Sequence, residues 1–384
     1  MSSVSDSYKS SANTPSKQTL TKYIAMALLA LLSFGLTGLG AIVVMFALST
    51  LRAGRDSAAS HGISSRNSSR LGGVAIVITF IMFLIGMVLL SSYTPGVVRD
   101  VTFLHIWSTV FVCVILGGAE DIKADLLSPY FRLVVKLLAF GFFLWTTPNV
   151  VPLLIGIAGI DYLLSVPLVA WGLCTVFCVG FINAFNMADG ANGLIPGIAT
   201  IAFGILFLVY GRPAEGVLFF VCLMFLIFNV VSGWFFLGDM GSYGLGAALV
   251  CYGLLGVAQG DFSAGFMASL LSYPCVDFLV SVIRRLRKGL SPLQADNGHL
   301  HNRLYSFYAP KFKSRVTPNS LTGLTISSGS SGVSLIIYVF DWIAIDSNAW
   351  FGIFGIQVVV YLVTLSRLRR TQMNQSEILI GMSR

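Results

Sequence analysis

What most limits the fold of this chain is the recurrence of apolar runs about twenty residues long, separated by short polar segments. A bilayer core of about 30 Å is crossed by about 20 helical residues. A backbone crossing lipid must satisfy its own N–H and C=O groups, which a helix does within one segment. By that measure the sequence predicts about eleven spans, near residues 23–50, 71–92, 101–118, 132–148, 163–183, 193–211, 215–237, 243–259, 262–284, 322–345 and 349–366. The stretch 149–162 reads either as a loop or as part of a long fifth helix. Only 10% of residues are charged, against about 25% in soluble domains. The expected fold class is therefore an all-α, polytopic membrane helix bundle.

Charge orients it. Loops 51–70, 119–132, 184–192, 238–242 and 285–321, with the tail from 367, hold most of the Arg and Lys, while the opposite loops offer only Arg99 and Arg212. The positive-inside rule puts the first set in the cytoplasm, the N-terminus outside and the C-terminus inside. Three Lys in the N-terminal tail run against that rule. Residues 1–22, rich in Ser and Thr, are expected to be disordered. They precede a single transmembrane domain over 23–366 and a cytoplasmic tail over 367–384. The net charge of +8 sits in loops, so it marks membrane orientation and not a nucleic-acid partner. All six Cys lie inside apolar runs without ligand spacing, which predicts core packing and no disulfide framework.

The polar residues that interrupt this pattern carry the chemistry. Residues 183–194 read Asn-Ala-Phe-Asn-Met-Ala-Asp-Gly-Ala-Asn-Gly-Leu. A plain turn needs one or two such side chains, whereas Asn183, Asn186, Asp189 and Asn192 together suggest a polar binding surface. Glu120 and Asp121 end a span side by side. Adjacent carboxylates repel, so one is protonated, or both share a cation, or they simply terminate the span. Ser128-Pro129 predicts the start of the next helix, with Ser as its cap. Residues 237–246 form a Gly-rich turn around Asp239, open to close approach by a ligand. Residues 291–304 place His299 and His301 beside Asp296 and Arg303, a set better suited to phosphate than to zinc, with a solvated basic loop as the plain alternative. In an extended segment both imidazoles would face one way. Asp277 lies inside a span about two turns before Arg284, which allows either a structural ion pair or a functional acid.

In chain order, the pieces Arg70-Leu-Gly-Gly-Val-Ala-Ile, Glu120-Asp121 with Leu127-Ser-Pro-x-x-Arg132-Leu, Asn183 to Leu194, Phe228-Asn229 with Gly238-Asp-x-Gly-Ser242, Pro274-x-x-Asp277 and Asp296-x-x-His-Leu-His301 resemble the polyprenyl-phosphate N-acetylhexosamine-1-phosphate transferases of glycosyltransferase family 4. The resemblance covers about residues 50–305. Three positions depart from the family pattern: Glu120 replaces the first Asp of an acidic pair, Asn192 an Asp, and Asn302 a His.

The resemblance implies transfer of N-acetylhexosamine-1-phosphate from a UDP-sugar to undecaprenyl (polyprenyl) phosphate at the cytoplasmic face of the bacterial inner membrane. That is the initiating step of a cell-envelope glycan such as O-antigen. It implies Mg²⁺, with Mn²⁺ as a substitute, held by Asp121 and Asp239. It implies Glu120, Asp121, Asp189, His299 and His301 as catalytic groups. Arg70, Asn183, Asn186, Asn192, Asn229, Asp277, Asp296 and Arg303 would bind substrate. The partners are a UDP-N-acetylhexosamine, polyprenyl phosphate and the bilayer, and the bundle leaves room for a homodimer. The rival reading is a secondary transporter or lipid-linked carrier, which would place its ionisable groups near the midplane and show repeated halves.

Overall fold

The computed structural model describes residues 35–51, 69–90, 101–123, 126–233, 235–291 and 297–382. The expected tail 1–22, the start of the first span and most of loop 51–70 lie outside the described residues. The protein is a multi-pass, all-α membrane bundle. Its helices are α1 (35–50), α2 (Gly72–Leu90), α3 (Val101–Ile122), α4 (Pro129–Thr146), α5 (Ala158–Leu164), α6 (Pro167–Ala188), α7 (Leu194–Tyr210), α8 (Pro213–Ser232), α9 (Gly238–Gln259), α10 (Ala264–Leu270), α11 (Ser272–Arg287), α12 (Leu300–Tyr308), α13 (Val316–Ser327), α14 (Val333–Val339) and α15 (Trp350–Met382). Among the described residues seven helical segments are long and apolar enough to cross a membrane, Val316–Val339 counting as one. A bent pair (α10 and α11) and three shorter apolar helices complete a one-to-one match with the expected runs.

The bundle is built around α9. In its most apolar stretch 89% of the residues are buried, against 11% for α15 at the edge. Small residues make this possible, because they let helix backbones approach closely. A Cβ on Gly117 would stand 2.3 Å from the Asp239 carbonyl oxygen, one on Gly73 2.3 Å from Gly241 N, and one on Gly246 3.3 Å from Phe185 Cβ. These contacts draw α3, α2 and α6 onto α9. Outward faces such as Leu138, Phe142 and Trp145 of α4 and Ile356, Val359 and Val363 of α15 are exposed and apolar, as lipid contact requires.

Several boundaries differ from the sequence reading. Residues 149–162 are neither a plain loop nor a continuation of α6, because a 3₁₀ turn (Pro148–Val150) and α5 intervene. The ninth span bends by 79° between α10 and α11. Pro274, in the first turn of α11, has no N–H to give, and the Leu270 carbonyl instead accepts the Ser331 hydroxyl at 2.6 Å. The tenth span begins at Val316 and passes through a widened π turn, Ser328–Gly332. The last helix continues past residue 366 to Met382, carried by a segment without Pro. Asn183 and Asn186 sit on α6 and Asp239 in the first turn of α9, so the loops expected at 184–192 and 238–242 are mostly helix.

Candidate active site at one end of the bundle

The acids meet where α3 and α6 end and α9 begins. Asp121, in the last turn of α3, is buried and spans the first turn of α9: Oδ1 accepts the Asp239 N–H at 2.9 Å and Oδ2 the Met240 N–H at 2.8 Å. A helix N-terminus has unpaired N–H groups and a positive dipole end, so a carboxylate there is stabilising. Gly238 permits the approach. Its φ is +74°, and a Cβ would fall 2.3 Å from the Arg70 carbonyl oxygen and 2.6 Å from Asp121 Oδ2. Arg70 is brought alongside by pairing of residues 69–73 with 235–237: Phe236 N–H donates to Ser69 O at 2.9 Å and Gly73 N–H to Leu237 O at 2.7 Å.

Asp189 caps the end of α6. Burial, then the charges of Asp239 and Asp121, pushes its carboxyl up to about 8, with a bond from the Gly238 backbone opposing. Three carboxyl groups from three helices thus lie within mutual electrostatic reach. Glu120 faces the same place but is committed to the protein: Oε1 accepts the Leu127 N–H at 2.7 Å, and Oε2 is 3.5 Å from Arg132 Nη1. The same Arg132 nitrogen is 3.4 Å from Asp239 Oδ2.

Of the amides, Asn183 accepts a hydrogen bond from buried Lys136, whose Nζ also lies 4.2 Å from the centre of the Tyr243 ring. Asn186 accepts from Ser242 Oγ at 2.5 Å. Asn192 and Asn229 are buried and hold backbone together. The Asn229 side chain accepts the Gly193 N–H at 2.6 Å and donates to the Phe235 carbonyl at 2.7 Å, while Asn192 N–H donates to Asn319 Oδ1 at 2.9 Å. These bonds fix the turn after Asp189 against α8 and α13.

The histidines stand on α12, one at its cap and one in its first turn. Their rings stack 5.2 Å apart and 10° from parallel, so they do face one way, although the segment is not extended. Asp277 organises them. Its Oδ2 is 2.5 Å from His299 Nδ1, and Oδ1 accepts the Leu300 N–H at 3.1 Å and the Tyr361 hydroxyl at 2.6 Å. His301 Nδ1 is 2.9 Å from the Tyr273 hydroxyl. Burial, only partly offset by Asp277, takes the His301 imidazole down to about 4. A Cβ on Gly190 would stand 2.2 Å from His301 Nε2, so α12 closes directly on the turn that carries Asp189. Arg303 reaches away to Gln372 of α15 at 2.8 Å. Asp296 lies outside the described residues. Among the described residues no three His, Cys, Asp or Glu side chains are grouped to hold one metal ion by themselves.

Sequence reasoning gave no role to Lys136, Tyr273 or Tyr361, and Arg132 entered it only as a motif position and loop charge. Lys136 carried a usable signal, because a lone cation inside an apolar run is a functional candidate by default. The tyrosines carried none.

The family model for glycosyl transferase family 4 matches residues 103–257, the segment that holds Glu120, Asp121, Lys136, Asp189 and Asp239. Over that segment the chain is similar to this family. Among the proteins it resembles, a phospho-N-acetylmuramoyl-pentapeptide-transferase of Lacticaseibacillus paracasei is 27% identical over 45% of this chain and 59% of its own. An undecaprenyl-phosphate alpha-N-acetylglucosaminyl 1-phosphate transferase of Thermotoga maritima is 32% identical over 33% of this chain and 40% of its own. A decaprenyl-phosphate N-acetylglucosaminephosphotransferase of Mycolicibacterium smegmatis is 28% identical over 61% and 64%. The chain spans about half the length of these curated relatives. Both the muramoyl-pentapeptide and the N-acetylglucosamine branches of the family are thus represented among them.

Proposed function

We propose that this protein transfers N-acetylhexosamine-1-phosphate from a UDP-sugar to undecaprenyl or another polyprenyl phosphate, releasing UMP and opening the synthesis of a cell-envelope glycan such as O-antigen. The observation that carries the reading is the gathering of Asp121, Asp189 and Asp239 with Arg132 and Lys136 at one end of a membrane bundle. An anionic lipid headgroup and an anionic diphosphate could meet there. On the loop charges this end is cytoplasmic in a bacterial inner membrane, with the N-terminus outside and the C-terminus inside.

The acceptor is a phosphate monoester with a second pKa of about 6. It is mostly dianionic at neutral pH and hardly needs a general base. Its oxygen attacks the phosphorus next to the sugar, a new P–O–P bridge forms, and the bond to the UMP phosphate breaks with its electron pair leaving on UMP. The demand on the protein is to offset charge, a preorganised electrostatic task.

Asp239 and Asp121 would hold Mg²⁺, or Mn²⁺ in its place, with substrate oxygens completing the shell. The donor chemistry fits: burial, with the charges of Asp239 and Asp121 added to it, pushes Asp189 up to about 8, so these carboxyl groups form a site that a cation would stabilise. Once bound, the cation polarises phosphoryl oxygens. Arg70, Arg132 and Lys136 supply further positive charge. Asp277 holds His299 through Nδ1, which leaves Nε2 for a phosphate oxygen, and neutral His301 seals the site against Gly190. Asn183 and Asn186 line the nucleotide-sugar side, and Asn192 and Asn229 keep that turn in shape. The transporter alternative accounts poorly for acids gathered at one end.

The test is an assay of the purified full chain with undecaprenyl phosphate and a panel of UDP-hexosamines, following UMP release and the lipid product. One UDP-sugar should give Mg²⁺-dependent UMP and a polyprenyl diphosphate sugar. No UMP with any of them would overturn the reading.

A further inference from the structure

Far from the acids, the bundle buries a second polar group that the proposed reaction does not use. Glu215, in the first turn of α8, is 0% exposed. Neither of its carboxyl oxygens has a hydrogen-bond partner among the described residues, and the same holds for the Tyr252 hydroxyl of α9 and the Trp107 indole N–H of α3. The Tyr252 hydroxyl lies beside both Glu215 and Trp107 and interacts with each, but in neither case with the distance and angle of a full hydrogen bond. Tyr252 stands 13 residues along α9 from Asp239, about 20 Å at a rise of about 1.5 Å per residue. Burying a carboxyl, a phenol and an indole N–H without partners costs several kcal/mol in total, and such atoms usually find ordered water.

We propose that Glu215, Tyr252 and Trp107 form a buried water-binding site in the half of the bundle remote from the candidate active site. The chemistry of the lining selects the occupant. The indole N–H only donates, and the charge of Arg212 acts on both Glu215 and Tyr252, so a bare cation gains no acceptor from Trp107 and is opposed by the field of Arg212. An anion meets the carboxyl. A neutral molecule that both donates and accepts satisfies all four atoms: it gives to the Glu215 oxygens and takes from Trp107, while the Tyr252 hydroxyl turns either way. Water does this with two to four partners. The site ties together α3, α8 and α9, of which α3 and α9 carry Asp121 and Asp239 at their other ends.

Radiolytic hydroxyl footprinting of the full chain in nanodiscs tests this directly, since ordered internal water labels the side chains around it. Tyr252 should be modified far faster than the equally buried Phe203, Phe228 and Phe266. The rates should be the same in sodium, potassium and choline chloride. In Glu215→Leu the labelling of Tyr252 should fall to the level of those Phe residues. If that variant does not fold, Glu215→Gln with Tyr252 labelling as the readout serves instead, and Tyr252 should remain labelled there. A Phe-like rate for Tyr252 in the wild type would show a dry pocket and overturn the proposal. Protection by sodium or potassium relative to choline would show a cation site and overturn it equally.

Discussion

Asp121 holds the helix that carries Asp239: its two carboxylate oxygens accept the Asp239 and Met240 backbone N–H groups at 2.9 and 2.8 Å. The two acids are therefore coupled through backbone, with one building the platform on which the other stands. The coupling separates their expected mutant behaviour.

Asp121→Asn leaves one oxygen and one NH₂ group where two N–H donors need acceptors. One buried donor is then faced by another donor, a loss of about 1–3 kcal/mol. Asp239→Asn removes charge but no backbone acceptor. The expected outcome is a lower melting temperature for Asp121→Asn and an unchanged one for Asp239→Asn. Both should lose sugar-1-phosphate transfer by about 10²–10³ or more, as when preorganised electrostatic stabilisation is removed. Thermal melts beside UMP-release assays at several Mg²⁺ concentrations check this, and equal melting temperatures would refute the capping role.

Asp189 gives a proton-coupled signature. Its carboxyl is raised from 3.8 to about 8, so between those values the native protein holds a proton that the unfolded chain has lost. Its contribution to stability is fully present below about 4 and disappears as pH rises through about 8. A divalent cation beside Asp239 must displace that proton at neutral pH. Calorimetric titration of Mg²⁺ in buffers of different ionisation enthalpy should show proton release near pH 7, and affinity should rise with pH. Asp189→Asn should abolish the release.

His301 runs the other way. Its imidazole is lowered from 6.5 to about 4, so between those values the unfolded chain binds a proton that the native protein refuses. Stability is therefore lost as pH falls through that window. Melting temperature against pH, for wild type and His301→Gln, should diverge below about pH 6.5, with the wild type falling more steeply. Parallel curves would mean that the ring is not held neutral.

Much of this was legible because bilayer physics writes itself into sequence. Apolar runs marked the spans, and Glu120, Asp121, Asp189, Asp239 and the histidine pair stood out against them as polar interruptions. What escaped was set by tertiary packing. Asn192 and Asn229 resemble ligand groups in sequence, yet their amides meet each other and the backbone of other elements. Tyr273 and Tyr361 look like ordinary apolar-face aromatics until α12 brings His301 and Asp277 to their hydroxyls. Arg132 read as a positive-inside loop charge, although it sits between two acids. The 79° bend leaves only Pro274 as a trace, a residue equally at home in the first turn of a straight helix.

The closure of α12 on the Asp189 turn offers a test that leaves every charge in place. Gly190 has room for no side chain: an added Cβ would lie 2.2 Å from His301 Nε2 and 2.7 Å from Cδ2. His301 has little freedom to retreat, being bonded to Tyr273 through Nδ1 and stacked on His299. Gly190→Ala should therefore push α12 and its histidines outward by a fraction of an ångström or more. Misplacement by about 1 Å can cost on the order of 10²-fold in rate. At Gly180, on α6 within the same polypeptide segment, an added Cβ would meet nothing within 4 Å, so Gly180→Ala is the matched control. The expected outcome is a transfer rate reduced by on the order of 10²-fold in Gly190→Ala and unchanged in Gly180→Ala, with both proteins inserted and folded. Wild-type turnover by Gly190→Ala would show that the histidines do not need the seat that this contact gives them.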